Sequence, residues 1–222
     1  MAPEWRVAGE PIPYRQALEA MESRAAAVAA GAADELVWLL EHPPVITAGT
    51  RARPEDLLAP HRFEMVQTGR GGELTFHGPG QRVVYLVLDL SRRGQDVRRY
   101  VRALESWAIM ALAELGIAGH RSASGTGVWV ALPDGGEAKI CAIGVRIRRW
   151  ITLHGLALNV TTDLSAFEAI VPCGIAGGRV TRIVDHRPDA AMADVDGALR
   201  ATLPDLLGLL KPVRLEGGGV SV

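Results

Sequence analysis

The sequence predicts an α/β protein of the α+β kind, a mixed and largely antiparallel sheet packed with helices. Apolar runs of strand length and turn-rich segments follow one another as hairpins, where a doubly wound parallel sheet would alternate strand and helix strictly. Helical periodicity is confined to a few segments near the start, the middle and the end of the chain. With 222 residues, 48% hydrophobic and 22% charged, the chain is long enough to bury roughly 70% of its unfolded surface, and no disulfide or metal is needed to hold it.

Along the chain, Ala17, Leu18, Met21, Ala25 and Val28 recur at spacings of three and four after Pro13, and Gly31 stands where such a helix ends. ELVWLLEH forms a strand that Pro43 and Pro44 stop, and FEMVQTG a second. RVVYLVLDL is almost wholly apolar, as suits a central strand covered on both faces. Asp96 caps a helix whose stripe runs from Val97 to Leu115, with Gly116 as its stop. GVWVAL and KICAIGVRI, separated by PDGGEA, form a hairpin that WITLHGLALNV extends. A short helix near Leu164–Ile170 and a longer one near Met192–Leu210, broken by Pro204, complete the chain. No repeat or linker interrupts it, so residues 1–222 are expected to form one domain with a frayed tail at 217–222.

Twenty-four basic residues against 25 acidic ones give a net charge of −1, no field for nucleic acid or an anionic membrane. No stretch has the length of an apolar membrane span, and the first sixteen residues lack the basic and apolar regions of a leader. Cys141 and Cys173 are too few and too widely spaced for a disulfide framework or a zinc ribbon. A cytoplasmic protein with reduced thiols is expected.

Four segments carry chemistry. RGGELTFHGPGQ, residues 70–81, holds four glycines, enough for the backbone to bend around a ligand oxygen, with Arg70 and His77 as side-chain donors; a long hairpin connection ending in a Pro-Gly turn fits the same residues. Lys139 opens KICAIGVRI, where strict alternation puts it on one face with Cys141, Ile143, Val145 and Ile147. An exposed strand-end lysine is the plain alternative. Yet Lys139 and Lys211 are the chain's only lysines beside 22 arginines, and lysine is the cation that readily gives up a proton when buried. Cys173 sits in the irregular loop IVPCGIAGG, whereas Cys141 lies between Ile140 and Ala142 like a packing residue; Lys139 could be the cation that stabilises a Cys173 thiolate, and Cys141, two residues from it on the same face but roughly 6.5 Å along the strand, stays open as the reactive thiol. His154 and Asn159 interrupt an otherwise apolar strand, as catalytic support or as satisfied half-buried groups. A metal site from His77, His154 and Cys173 lacks a close ligand pair, and none is expected.

EHPPVITAG, RGGELTFHGPGQ, GVWV, KICAIGVRIRRW, HGLALNV and PCGIAG, in this order and spacing, resemble the lipoyl/octanoyl transferases, the LipB family. Phe76 stands where that family usually has tyrosine. The resemblance implies a fold similar to the catalytic domain of biotin and lipoate ligases. It also implies transfer of an octanoyl or lipoyl group from an acyl carrier protein thioester to the target lysine of a lipoyl domain. The donor would carry its acyl group on phosphopantetheine, and the acceptors would be the lipoyl domains of 2-oxoacid dehydrogenases and the glycine cleavage H protein. Carried over residue by residue, the resemblance puts the nucleophile on Cys173 and the general acid/base on Lys139. It puts the acyl pocket on Arg70, Gly71, Gly72, Glu73, Leu74, Thr75, Phe76 and His77, on Ala142, Ile143 and Gly144, and on Gly155, Leu156 and Ala157. No ATP or metal is implied. The alternatives are an ATP-dependent lipoate or biotin-type ligase of the same fold, which needs no nucleophilic cysteine, and a non-catalytic acyl-binding protein.

Overall fold

The apolar run in the middle of the chain forms the strand on which the rest is assembled. The computed structural model describes residues 2–171 and 178–212. In it, β6 (Gln81–Val87) is buried along its whole length. Val84 and Leu86 enter one hydrophobic cluster and Val83, Tyr85 and Val87 the other, the two-sided burial that a continuous apolar run predicts.

β6 lies within a seven-stranded sheet with β1 (Glu4–Val7), β2 (Leu36–Leu40), β7 (Gly119–Ser122), β8 (Gly125–Ala131), β9 (Glu137–Arg148) and β10 (Ile151–Asn159), in the order β1-β2-β6-β10-β9-β8-β7. Within this sheet β1 and β2 pair in parallel, and its other described neighbours pair antiparallel. A smaller sheet has the order β4-β3-β5, from β3 (Val45–Ala48), β4 (Glu64–Gln67) and β5 (Leu74–His77). The mixed, mainly antiparallel architecture expected from the sequence is therefore present.

Helix α1 (Tyr14–Ala29) covers one face of the large sheet and buries Tyr14, Ala17, Met21 and Ala25. Helix α2 (Val97–Glu114) covers the other face with Tyr100, Leu104, Trp107 and Ala111. It starts where the Asp96 carboxylate accepts the Arg99 N–H at 2.9 Å and ends before Gly116, whose φ of +76° suits a glycine stop. Trp107 Nε1 donates to Leu199 O at 3.1 Å, tying down α3 (Met192–Ala201). The last helical stretch divides at Thr202, and Pro204 lies in the first turn of α4 (Leu203–Leu209), where its missing N–H costs nothing.

Three differences from expectation matter for the site. The segment at 70–81 is not one loop, because β5 lies inside it and pairs antiparallel with β3. The segment around Leu164–Ala169 is a 3-10 helix. The hairpin joining β9 to β10 turns on Arg149 and Trp150, both at positive φ (+50° and +65°), a conformation that Asn-Gly adopts more readily.

Candidate active site

A cavity of about 530 Å³ opens along β9 and β10, within the range of small-ligand pockets. The glycine-rich segment contributes residues 70–75 and His77, β9 contributes Lys139 and residues 142–145, and β10 contributes residues 154–157. Phe76 faces away from it and packs with Phe63 and Phe167. Cys173 lies outside the described residues.

Arg70 organises the glycine-rich wall. Its guanidinium is buried; Nη1 donates to the carbonyls of Gly71 and Glu73 at 3.0 Å each, and Nη2 donates to Thr47 O and Oγ1 at 2.7 Å each. One rigid planar head thus binds the turn to β3. The approach is so close that a Cβ on Gly49 would lie 2.2 Å from Gly72 O. Gly71 N–H then donates to Val145 O at 2.9 Å, docking the loop on β9. Lysine cannot fork in this way. Arg70→Lys is expected to cost about 2–3 kcal/mol, the worth of one or two charge-assisted hydrogen bonds. At this chain length that lowers the thermal midpoint by roughly 5–10 °C in calorimetry.

Lys139 reaches the cavity because of a break in the strand's alternation. Val128 pairs with Cys141, but Trp129 pairs with Lys139, so Ile140 is an extra residue opposite one step of β8. A bulge of this kind re-aims the side chains that follow it. Ile140 and Cys141 both enter the α2-side core, whereas Lys139 lines the cavity. The expectation that Lys139 and Cys141 share a face is corrected accordingly. The Lys139 side chain is 6% exposed; Nζ donates to Thr126 O at 3.1 Å and sits 4.8 Å from the centre of the Trp129 ring. Gly127, at φ +129°, lets this happen, since a Cβ there would meet Cys141 O at 2.5 Å and the Lys139 side chain at 3.4 Å. Burial pushes the Cys141 thiol up to about 12, which keeps it protonated and unreactive near neutrality.

Asn159 stands off the cavity but holds the backbone beside Lys139. Asn159 accepts from Gln81 Nε2 at 2.9 Å and donates to Thr181 O at 3.0 Å. Thr181 N–H bonds Lys139 O, and Lys139 N–H bonds Arg179 O. Gln81 Oε1 accepts from His77 Nδ1 at 2.7 Å, so one buried chain of amides links His77 to the segment flanking Lys139.

At the other end of the cavity, five rings meet. Tyr14, His42, His77, Tyr85 and His154 stack or abut with centroids 5.1–6.2 Å apart. His42 Nδ1 donates to Ile12 O at 2.6 Å, which leaves Nε2 to accept from the Tyr85 hydroxyl at 2.7 Å. Sequence reasoning missed Tyr14, His42 and Tyr85. The available signals were the histidine in EHPP and the tyrosine inside an otherwise apolar strand. Burial pulls His42 down to about 4 and His77 and His154 to about 3, so all three are neutral near pH 7. In the unfolded chain they protonate below about 6.5. The unfolded state therefore binds more protons between about pH 6.5 and 4, and stability falls as the pH drops through that window. At pH 5, about 1.5 units below 6.5, this amounts to about 2 kcal/mol per ring and up to about 6 kcal/mol for the three, at 1.36 kcal/mol per unit. Urea titrations at pH 7.5 and 5.0 check it; equal midpoints would mean that the rings protonate in place.

Of the arginines of RIRRW, Arg148 and Arg149 lie at the hairpin tip, Arg149 ten residues beyond Lys139 and so roughly 30 Å away along β9, whereas Arg146 sits two pairs back opposite Leu153 and reaches Glu22 at 3.0 Å. Among the described residues, no group of three or more His, Cys, Asp or Glu side chains could hold a metal ion, and no helix is long and apolar enough to cross a membrane.

The family model for the lipoyl protein ligase A/B catalytic domain matches residues 13–203. An octanoyltransferase of Parvibaculum lavamentivorans is 55% identical over 210 residues, covering 93% of both chains. The chain belongs to the octanoyltransferases, within the lipoyl protein ligase A/B catalytic domain family. Its octanoyltransferase class makes it an acyltransferase acting in protein lipoylation. Solved structures carry the fold across to ligases. The lipoate protein ligase of Thermoplasma acidophilum is 17% identical, with a TM-score of 0.72 over 94% of this chain and 84% of that one. The biotin protein ligase of Aquifex aeolicus, solved with biotin and ATP, is 16% identical, with a TM-score of 0.50 over 75% of this chain and 71% of that one. In this octanoyltransferase the sheet places the buried Lys139 in the wall of the cavity.

Proposed function

We propose that the chain transfers an octanoyl group from an acyl carrier protein thioester to the target lysine of a lipoyl domain through a thioester on Cys173, with Lys139 as proton shuttle. The observation that carries this is the Lys139 ammonium, held by Thr126 O and Trp129 at a cavity of about 530 Å³ lined by Leu74, Ile143, Leu156 and Ala157. Burying seven methylenes there contributes on the order of 5 kcal/mol, at ~0.8 each.

The Cys173 thiolate attacks the donor thioester carbonyl, the Cys173 Sγ–C bond forms, and the donor sulfur leaves with the proton that Lys139 supplies. The acceptor lysine, as free amine, then attacks the acyl-enzyme. Lys139 takes its proton as the C–N bond forms and the Cys173 thiolate is expelled. The pair ends as it began. A thioester is already activated, so no ATP, metal or other cofactor enters these steps. The donor is octanoyl-acyl carrier protein, and the acceptors are lipoyl domains of 2-oxoacid dehydrogenases and the glycine cleavage H protein. The whole chain acts as one domain, in the cytoplasm.

The test incubates the protein with octanoyl-acyl carrier protein and a lipoyl domain in the absence of ATP. Gain of one octanoyl group on the lipoyl domain is expected. Transfer from free octanoate that requires ATP and releases pyrophosphate from it would assign the ligase reaction instead.

A further inference from the structure

We propose that Tyr14, Tyr85 and His154 close the far end of the acyl cavity and set the chain length it accepts, which makes them specificity determinants for octanoyl-sized groups. This rests on the acyl-transfer reaction proposed above and deepens it.

Position comes first. His154 pairs with Val145, and with Ile140 set aside as the bulge residue, five ladder steps separate Val145 from Lys139, about 16 Å at ~3.3 Å per step. An octanoyl chain has seven carbon–carbon bonds of ~1.5 Å and spans at most ~10 Å. With its carbonyl within reach of the Lys139 side chain, the chain passes the Gly144–Gly155 pair and ends at His154.

The end wall is rigid. The Tyr85 ring stands edge-on to His154, with centroids 5.8 Å apart at 88°. Its hydroxyl is fixed by His42, which Ile12 O fixes in turn. Tyr14 packs on His42 and His77. All of these side chains are buried, and each neighbour blocks the rotation that would let the next one swing aside.

His154 also sits at a cost that the fold does not require. Its φ is +62°, a region that non-glycine residues visit with strain. Its N–H faces Met21 Sδ at 3.0 Å, and its Nε2 is buried with no hydrogen-bond partner. Glycine would take this backbone freely. What histidine adds here is the bulk of its ring at the end of the cavity.

The experiment measures single-turnover transfer to a lipoyl domain from pantetheine thioesters of six to fourteen carbons. Wild type is expected to peak at eight. His154→Gly, which keeps the backbone conformation and removes the ring, moves the optimum to ten or twelve. Each methylene newly buried is worth about fourfold, so the ten-to-eight ratio of kcat/KM, two methylenes apart, gains up to roughly sixteenfold, and the twelve-to-eight ratio gains more for each further methylene that the opening holds. His154→Asn, a smaller residue that tolerates positive φ, shifts the profile in the same direction, and Tyr14→Leu gives a third opening of the wall. Because the readout is a ratio within each variant, partial loss of folded protein cancels. An optimum that stays at eight carbons in these variants overturns the proposal. Wild type that transfers no acyl group of any length overturns the underlying reaction instead.

Discussion

Cys173→Ser is expected to abolish the proposed acyl-enzyme and to lower transfer by at least about 10³-fold, the scale on which removing a covalent nucleophile acts. Cys141→Ala leaves both within a fewfold of wild type and costs about 1 kcal/mol of stability, as expected for trimming a small buried side chain. The contrast follows from the two environments. Cys141 is fully buried on the α2 face, on the opposite side of the strand from the cavity, and its thiol is pushed up to about 12. A thiolate there would have to form in a dry core. Stopped-flow acylation with an octanoyl thioester checks the pair, and a Cys141 variant that fails to acylate while remaining folded would reverse the assignment.

The second large effect is expected at Lys139. Lys139→Arg keeps a cation beside the cavity but one that does not yield its proton near neutrality. If Lys139 moves protons, transfer from a preformed acyl-enzyme to the acceptor lysine drops by roughly 10²-fold or more, while self-acylation of Cys173 falls less, because a neighbouring cation still favours thiolate. The planar head also meets a site shaped for an ammonium, between Thr126 O and the Trp129 face. Lys139→Met therefore serves as the companion: a purely electrostatic role predicts a slow methionine variant and a fast arginine variant. Equal transfer rates for arginine and wild type would leave Lys139 as a fixed charge only.

Much of the frame was legible in the sequence because its signals are local. The stripe in α1, the Asp96 cap with the Gly116 stop, and the apolar run of β6 each carry their own period. Four-residue strands do not. β1 has only one partly buried residue, Trp5. β7 reads Gly-His-Arg-Ser, and its Arg121 is held by the buried Glu105 of α2, a contact sixteen residues away that no window detects.

The site divides in the same way. Lysine scarcity and the resemblance both singled out Lys139, but perfect alternation in KICAIGVRI placed it beside Cys141. Only the pairing of Trp129 with Lys139 reveals that Ile140 bulges and that the two side chains part. Arg70 was expected as a donor beside the ligand; it lines the cavity, and its guanidinium also binds Thr47, Gly71 and Glu73, a structural role the sequence did not show. Tyr14, His42 and Tyr85 come from three separate segments, so their meeting at the end of the cavity depends on the tertiary structure alone.

The claim on which the rest depends is the covalent intermediate, and intact-protein mass spectrometry reaches it directly. After brief incubation with an octanoyl thioester and no acceptor, the protein is expected to gain one octanoyl group, labile to hydroxylamine and mapped by peptide analysis to Cys173. Addition of a lipoyl domain should then discharge it onto the acceptor lysine at the rate of turnover. An adduct on Cys141, or turnover with no adduct detectable under conditions where loading outpaces discharge, contradicts the account.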